Sequence, residues 1–335
     1  MHLRNDIANF NDVSVYSFEK EQVLPLVLKA DIPNIKLQQW ASEYTEKLNS
    51  LLSQFGAILF RGFDLKGSED FNQVIDVISG NALAYKERSS PRSTVSGNIY
   101  TSTDHPEDKA IFLHTEQSYN VKFPSKIFFY CDKTPEQGGE TPIADTRRIY
   151  KHLVDEALPL FEDKKYQYSR YFWPMMGMNW QKAFQTDSKA EVEQYCLDNE
   201  IQFKWNGDDE LQTYQIRPLV AEHPNSGDLC WFNHCTFFNI YTLDADVQEI
   251  FMESFDMHEL PNNTLKSDGS EIPQSVIKKM QHAYNTELRK FSWLKGDMLM
   301  LDNMLCAHGR SPFQGERKIL VGMAELIEWN DVEVI

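Results

Sequence analysis

The chain has 335 residues, an apolar fraction of 41% and a formal net charge of −17. Such acidity, without a Lys/Arg stripe, excludes a phosphate-gripping nucleic-acid partner, and no apolar run approaches the roughly 18 residues of a membrane span. With 21 Phe, 14 Tyr and 7 Trp the chain can fill a substantial core, and no repeat, low-complexity tract or linker divides it.

Residues 35–54 place Ile35, Leu37, Trp40, Tyr44, Leu48, Leu51 and Leu52 at near-helical spacing, which predicts an amphipathic helix stopped at Gly56. Ala57-Ile58-Leu59-Phe60 follows as a short apolar strand ending at Arg61-Gly62, and a second helix is expected over 69–79. Residues 87–104, rich in Ser, Thr, Pro, Arg and Asn, read as irregular. Strands are expected over 110–114 and 126–131, then a turn at Thr134-Pro135-Glu136-Gln137-Gly138-Gly139 and a helix from Asp145 to about 156. Helical and strand signals alternate from 157 to 260 without a clean break, and two late strands, 297–302 and 317–324, bracket His308. Strands dominate the motif-bearing parts. The expected fold is therefore mainly β with α insertions: a double-stranded β-helix (jelly roll) core flanked by helices. We read 1–335 as a single domain, with an N-terminal helical and strand scaffold over about 1–85 and a mixed insertion over about 157–290.

Five cysteines (131, 196, 230, 235 and 306) are odd in number, scattered and free of any C-x-x-C pair. They fit neither a disulfide framework nor a zinc knuckle, which points to a reducing compartment. The opening Met1-His2-Leu3-Arg4-Asn5-Asp6 lacks the apolar core of a signal peptide, so the expected location is cytoplasmic.

His114 and Glu116 stand two residues apart at the end of the 110–114 strand, and His308 follows 194 residues on, with Arg310 and Arg317 just beyond it. Alternate residues of a strand share a face about 6.6 Å apart, so His114 and Glu116 can converge on one ion. Two imidazoles and a carboxylate hold iron(II) on one face and leave open positions, and an arginine nearby anchors an anionic co-substrate. A second pair, His105 and Glu107, lies in a polar segment with Pro106 between them, suits an exposed turn and is rejected. His223, His234, His258 and His282 lack a setting like that of His308. His258-Glu259 begins like a zinc-protease helix, but Asn262 stands where the second histidine is required.

In this respect the chain resembles the taurine dioxygenase/clavaminate synthase-like (TauD/TfdA) family of iron(II)- and 2-oxoglutarate-dependent oxygenases. The matching pieces are Gly56 to Gly62, His114-Thr115-Glu116, Gly138-Gly139-Glu140-Thr141, Trp293 with Gly296-Asp297, and Asp302-Asn303 through His308 to Arg317, in the family's order over about 260 residues. The resemblance implies a jelly roll with His114, Glu116 and His308 as iron ligands. It also implies that Thr141 and Arg317 bind 2-oxoglutarate, a planar guanidinium suiting the distal carboxylate. Glu116 stands where taurine dioxygenase-like members mostly carry Asp. Val321 stands where many relatives carry a second arginine, a role Lys318 or Arg310 could share.

Arg92 to Pro106, Glu116 to Tyr119 and Trp231-Phe232-Asn233 are similar to a narrower branch that serves peptide-antibiotic and other specialised pathways. That branch oxidises amino acids or aminoacyl groups, some held on a carrier protein. Arg92, Tyr119, Trp231, Asn233 and Arg310 are the candidate substrate residues. The acidic chain disfavours an acidic carrier and favours a free small molecule. The expected activity uses O2 to hydroxylate an unactivated carbon, with 2-oxoglutarate converted to succinate. Desaturation, ring closure and epoxidation are alternatives, as is a non-enzymatic jelly roll that binds metal and a small ligand. Glu116 disfavours halogenation, since family halogenases vacate that position for chloride.

Overall fold

The computed structural model describes residues 1–84, 94–101 and 105–334. Among them the largest sheet has nine strands. Its central part runs in the order Leu26–Ala30, Ala57–Arg61, Met298–Asp302, Lys122–Lys133, Lys318–Glu328 and Ile99–Thr101. A second sheet of three strands has Cys306–Arg310 in the middle, flanked by Ile143–Asp145 and Ile111–His114. The chain is a jelly roll with helical insertions.

Strand alternation explains how the layers assemble. Ile58, Phe60, Phe128, Tyr130, Met298, Met300 and Leu320 point to one side of the large sheet. There they meet the helices Leu37–Phe55 and Gly67–Ser79 through Trp40, Leu48, Leu52, Phe71 and Ile75. The residues between them (Leu59, Ile127, Phe129, Leu299, Leu301 and Val321) point to the opposite side and pack on Ile143 and Cys306 of the small sheet. Leu113, Ala144 and Ala307, on the far face of that small sheet, meet the helices Thr146–Leu153 and Gln274–Glu287. A one-residue slip in the 306–310 strand would send His308 out of the interior.

The helix expected over 35–54 spans Leu37–Phe55, and Gly56 ends it at φ +76° with its N–H bonded to Leu52 O. Asp145 caps the Thr146–Leu153 helix by accepting the Arg147 N–H. Within 87–104, read as irregular, Thr94–Ser96 and Ile99–Thr101 are short strands that extend the sheet edge beside Lys318–Glu328. Polar composition hid them. The insertion carries its own four-stranded sheet: Gln202–Asn206, Glu210–Pro218, Lys165–Phe172 and Asn263–Lys266. No helix among the described residues is long and apolar enough to cross a membrane.

Buried Glu287 joins the two helices behind the small sheet, accepting from Arg148 Nε at 2.5 Å and His152 Nε2 at 2.7 Å. Burial alone raises its pKa, but Arg148 and His152 outweigh it and hold the carboxyl below its ordinary value of 4.5. A depressed carboxylate pKa contributes stability above the unfolded value, and that stability fades as pH falls through the folded one. Glu287→Gln should therefore cost about 1–3 kcal/mol at pH 7. The difference from the parent should shrink below pH 4.5 in denaturant titrations at a series of pH values.

Candidate active site

His114 and His308 sit directly opposite each other on paired antiparallel strands. Their ring centroids are 4.5 Å apart. Close strand approach at this point depends on Gly309, where a Cβ would lie 2.6 Å from Ile111 O. The His114 Nδ1–H donates to Phe112 O at 2.9 Å, so its lone pair is on Nε2. His308 Nε2 lies 3.9 Å from Glu116 Oε2. One donor atom from each of His114, Glu116 and His308 falls within 4.8 Å of the others. This donor set, two neutral nitrogens and one carboxylate, fits a ferrous ion with open positions.

Glu116 does not reach the site as the next inward residue of a strand. The strand ends at His114, and Glu116 lies in a turn followed by Gln117 at φ +56°. Asn303 holds that turn instead. Its Oδ1 accepts the Glu116 N–H at 2.7 Å, and its Nδ2 donates to Glu116 O and Pro124 O, both at 2.8 Å. Asp302 fixes Asn303 in turn: Oδ1 accepts the N–H groups of Met304 and Leu305, and Oδ2 lies 3.0 Å from His223 Nε2. His223 Nδ1 accepts the Ser226 N–H, which leaves Nε2 as the donor to Asp302. His223, set aside as a ligand from the sequence, thus props the turn between the two late strands.

The three donors open on a cavity of about 470 Å³. Its lining includes Thr141, Arg310 and Arg317 and, from the insertion, Phe237, Phe238, Phe251 and Leu260. Arg317 is aimed by Gly139, whose carbonyl accepts from its Nε at 2.9 Å. Gly139 has φ +71°, and a Cβ there would come within 3.0 Å of Arg317 Cδ. Burial, then the positive charge of Arg310, lowers the Arg317 pKa to about 10. A site that strains a guanidinium in this way is relieved by an anion. Trp293 Nε1–H donates to Thr141 Oγ1 at 3.2 Å, which frees the threonine proton to point elsewhere. Trp293 is held by the loop closed by Asp297, which is salt-bridged to Arg61 at 2.6 Å and accepts the Leu294 N–H.

A family profile described as "Taurine catabolism dioxygenase TauD, TfdA family" matches residues 21–324. The chain belongs to this family. Dapdiamide synthesis protein DdaC of Enterobacter agglomerans is 36% identical over 278 residues, covering 83% of this chain and 84% of the relative. The clavaminate synthase-like protein At3g21360 of Arabidopsis thaliana is 28% identical over 288 residues, with the same coverage. Among solved structures, PvcB, titled an Fe, alpha-ketoglutarate dependent oxygenase from an isonitrile synthetic pathway, aligns with a TM-score of 0.56 at 12% identity. It covers 98% of this chain and 96% of its own. A taurine dioxygenase from Burkholderia xenovorans aligns at 0.54 and 11%, covering 97% and 95%. At such identities these structures establish the fold. The family establishes the chemistry: this TauD-type chain is a 2-oxoglutarate-dependent oxygenase whose cofactors are iron(II) and 2-oxoglutarate.

Of the substrate residues expected from the sequence, Arg310 alone among the described residues lines the cavity. Arg92 lies outside those residues. Trp231 is fully buried in the core against the outer helices, and Asn233 bonds Leu219 O and the Cys235 N–H. Tyr119 packs edge-on behind His234, with ring centroids 4.8 Å apart. None of these three side chains lines the cavity. Arg310 itself spans the cavity wall to the carbonyls of His105, Pro106 and Lys109. Lys318 is half exposed and pairs with Asp132, which leaves Arg310 as the second guanidinium beside Arg317. His105, rejected as a ligand, is exposed in a turn at the cavity rim. His234 was passed over in the sequence although it lines the cavity, fully enclosed.

If Asn303 positions Glu116, Asn303→Ala should weaken ferrous binding by about 10- to 100-fold, the usual cost of removing a group that orients a metal ligand. An anaerobic metal titration measures this, and an unchanged affinity would show that Glu116 keeps its place without the clamp.

Proposed function

We propose that this oxygenase hydroxylates an unactivated carbon of an amino acid or amino-acid-derived small molecule, with 2-oxoglutarate decarboxylated to succinate. The observation that carries the reading is the convergence of His114, Glu116 and His308 within 4.8 Å in a cavity whose other charged groups, Arg310 and Arg317, are cationic. In this reading those three side chains hold iron(II). With iron bound there, O2 would be the oxidant: one of its oxygen atoms would go to the substrate C–H bond and the other to succinate as 2-oxoglutarate loses carbon dioxide. Arg317 grips the distal carboxylate of 2-oxoglutarate, and Thr141 donates its hydroxyl proton to the same group, its oxygen being engaged by Trp293. Arg310 adds positive charge and secures the 105–109 segment over the opening. The phenylalanine wall from the insertion excludes water and packs the substrate's apolar part beside the reacting centre.

The relative named for dapdiamide synthesis supports placing the substrate in a biosynthetic pathway. A free small molecule is favoured over one tethered to an acidic carrier. Asp244, Asp246, Glu249 and Glu253 are exposed on the segment that also sends Leu243 and Phe251 into the cavity, and they would repel such a carrier. The five cysteines are buried and form no disulfide, which supports a reducing, cytoplasmic setting. Burial pushes the Cys131 and Cys235 thiols up to about 12, which keeps them inert.

Anaerobic addition of iron(II) and 2-oxoglutarate should produce a weak visible charge-transfer band that His308→Ala abolishes. A persistent band would remove His308 from the centre. Arg317→Met should raise the 2-oxoglutarate dissociation constant about 30- to 1,000-fold, since removing one partner of a buried charge pair costs about 2–4 kcal/mol. With a turnover substrate, a product 16 Da heavier supports hydroxylation or epoxidation, and one 2 Da lighter overturns both.

A further inference from the structure

Behind the His114 ring lies a buried hydrogen-bond chain that metal binding does not use. Thr115 Oγ1 is 2.9 Å from Ser118 Oγ, and Ser118 Oγ is 2.7 Å from His234 Nδ1. Thr115 and Ser118 are fully buried, and His234 is 2% exposed. The His234 ring is clamped between Tyr119 and Phe238, at 4.8 Å from each, and its centroid is 5.7 Å from that of His114.

The two possible directions of this chain differ in cost. If Ser118 received the proton of Nδ1, it would donate to Thr115. The Thr115 proton would then be buried with no acceptor among the described residues. A buried, unpaired hydroxyl proton costs about 1–3 kcal/mol. If Thr115 donates to Ser118 and Ser118 to Nδ1, both hydroxyl protons are used, and the imidazole carries its one proton on Nε2. Among the described residues nothing accepts from Nε2, and His234 lines the cavity. The remaining cavity wall offers no complementary acceptor charge for a cationic ligand: its charged groups are Arg310, Arg317 and Glu116, and Glu116 belongs to the metal set.

We propose that His234 is a substrate-binding residue, its Nε2–H donating to a carbonyl-type oxygen, amide or carboxylate, of the molecule oxidised. This rests on the oxygenase reading and gives it a substrate class. The acceptor is held next to His114, while the apolar arm of the substrate lies along Phe237, Phe238 and Phe251. Thr115 and Ser118 act through His234 as positioning residues. The pattern Thr115-x-x-Ser118, one residue before and two after Glu116, ties the orientation of this donor to the turn that carries the metal carboxylate.

The test uses the full chain, with 15N-labelled histidine, loaded with zinc(II) and 2-oxoglutarate so that it is diamagnetic and does not turn over. The His234 resonances, assigned through His234→Gln, should show the neutral Nε2–H form. Ser118→Ala should disturb that preference. An Nδ1–H form in the parent would overturn the proposal. The probes are N-acetyl amino acids, as free acids and as amides, against matched N-ethyl compounds that lack the acyl carbonyl. Titration calorimetry should find N-acetyl probes bound and their affinity reduced about 5- to 30-fold in His234→Phe. His234→Gln, which retains a donor, should restore part of it. A preference for acids or for amides identifies the oxygen. Weaker binding of the N-ethyl compounds makes the acyl carbonyl the acceptor and equal binding makes it the C-terminal oxygen; no probe binding, or an unaltered affinity in His234→Phe, would overturn the proposal. The iron–2-oxoglutarate band in the same variant keeps the two readings apart: its retention leaves the oxygenase assignment standing while the role of His234 fails.

Discussion

The pairing of Ile111–His114 with Cys306–Arg310 is the constraint from which the site follows. Two imidazoles from positions 194 residues apart become neighbours because one antiparallel register sets them opposite each other and Gly309 lets the backbones close. Alternation then divides the labour within a single strand. Ala307 turns outward to the helices, while Cys306 and His308 turn inward, Cys306 packing against the large sheet and His308 lying 5.2 Å from the Phe129 ring. Register errors in such a strand invert every side chain, so core burial on both faces specifies where His308 meets His114.

Charge is distributed in opposite senses inside and out. The chain carries a net −17, yet the cavity wall beside the metal set carries two guanidiniums within reach of each other's field. Holding them there costs desolvation, visible in the lowered pKa of both Arg310 and Arg317, with burial the larger cause in each. The arrangement is stable because Arg310 satisfies three backbone carbonyls and Arg317 one. An anion entering between them would offset that cost. Asp297, which accepts the Leu294 N–H beside Trp293, shows the converse: burial raises its pKa, and Arg61 opposes the rise.

The fold and the grouping of His114, Glu116 and His308 were legible in the sequence for identifiable reasons. Apolar periodicity marked the Leu37–Phe55 helix, and Asp145 and Gly56 marked their helix ends with cap chemistry. His114 and His308 stood out because each closes or follows an apolar strand. The position of Glu116 was legible but its cause was not: a turn held by Asn303, 187 residues away, does what strand alternation was expected to do. Polar side chains whose partners are distant in sequence carry no periodic signal. The same reason explains why Trp231, Asn233 and Tyr119 resemble substrate contacts in one dimension yet are core groups in three. It also explains why His234, embedded in an ordinary aromatic run, gave no sign of reaching the cavity.

Iron-edge X-ray absorption on the full-length protein, loaded anaerobically with one ferrous ion, tests the central claim most directly. The account predicts multiple-scattering features of two imidazoles, falling to one in His114→Ala. Three imidazoles, or none, would contradict a centre built from one carboxylate and the two imidazoles of the strand pair.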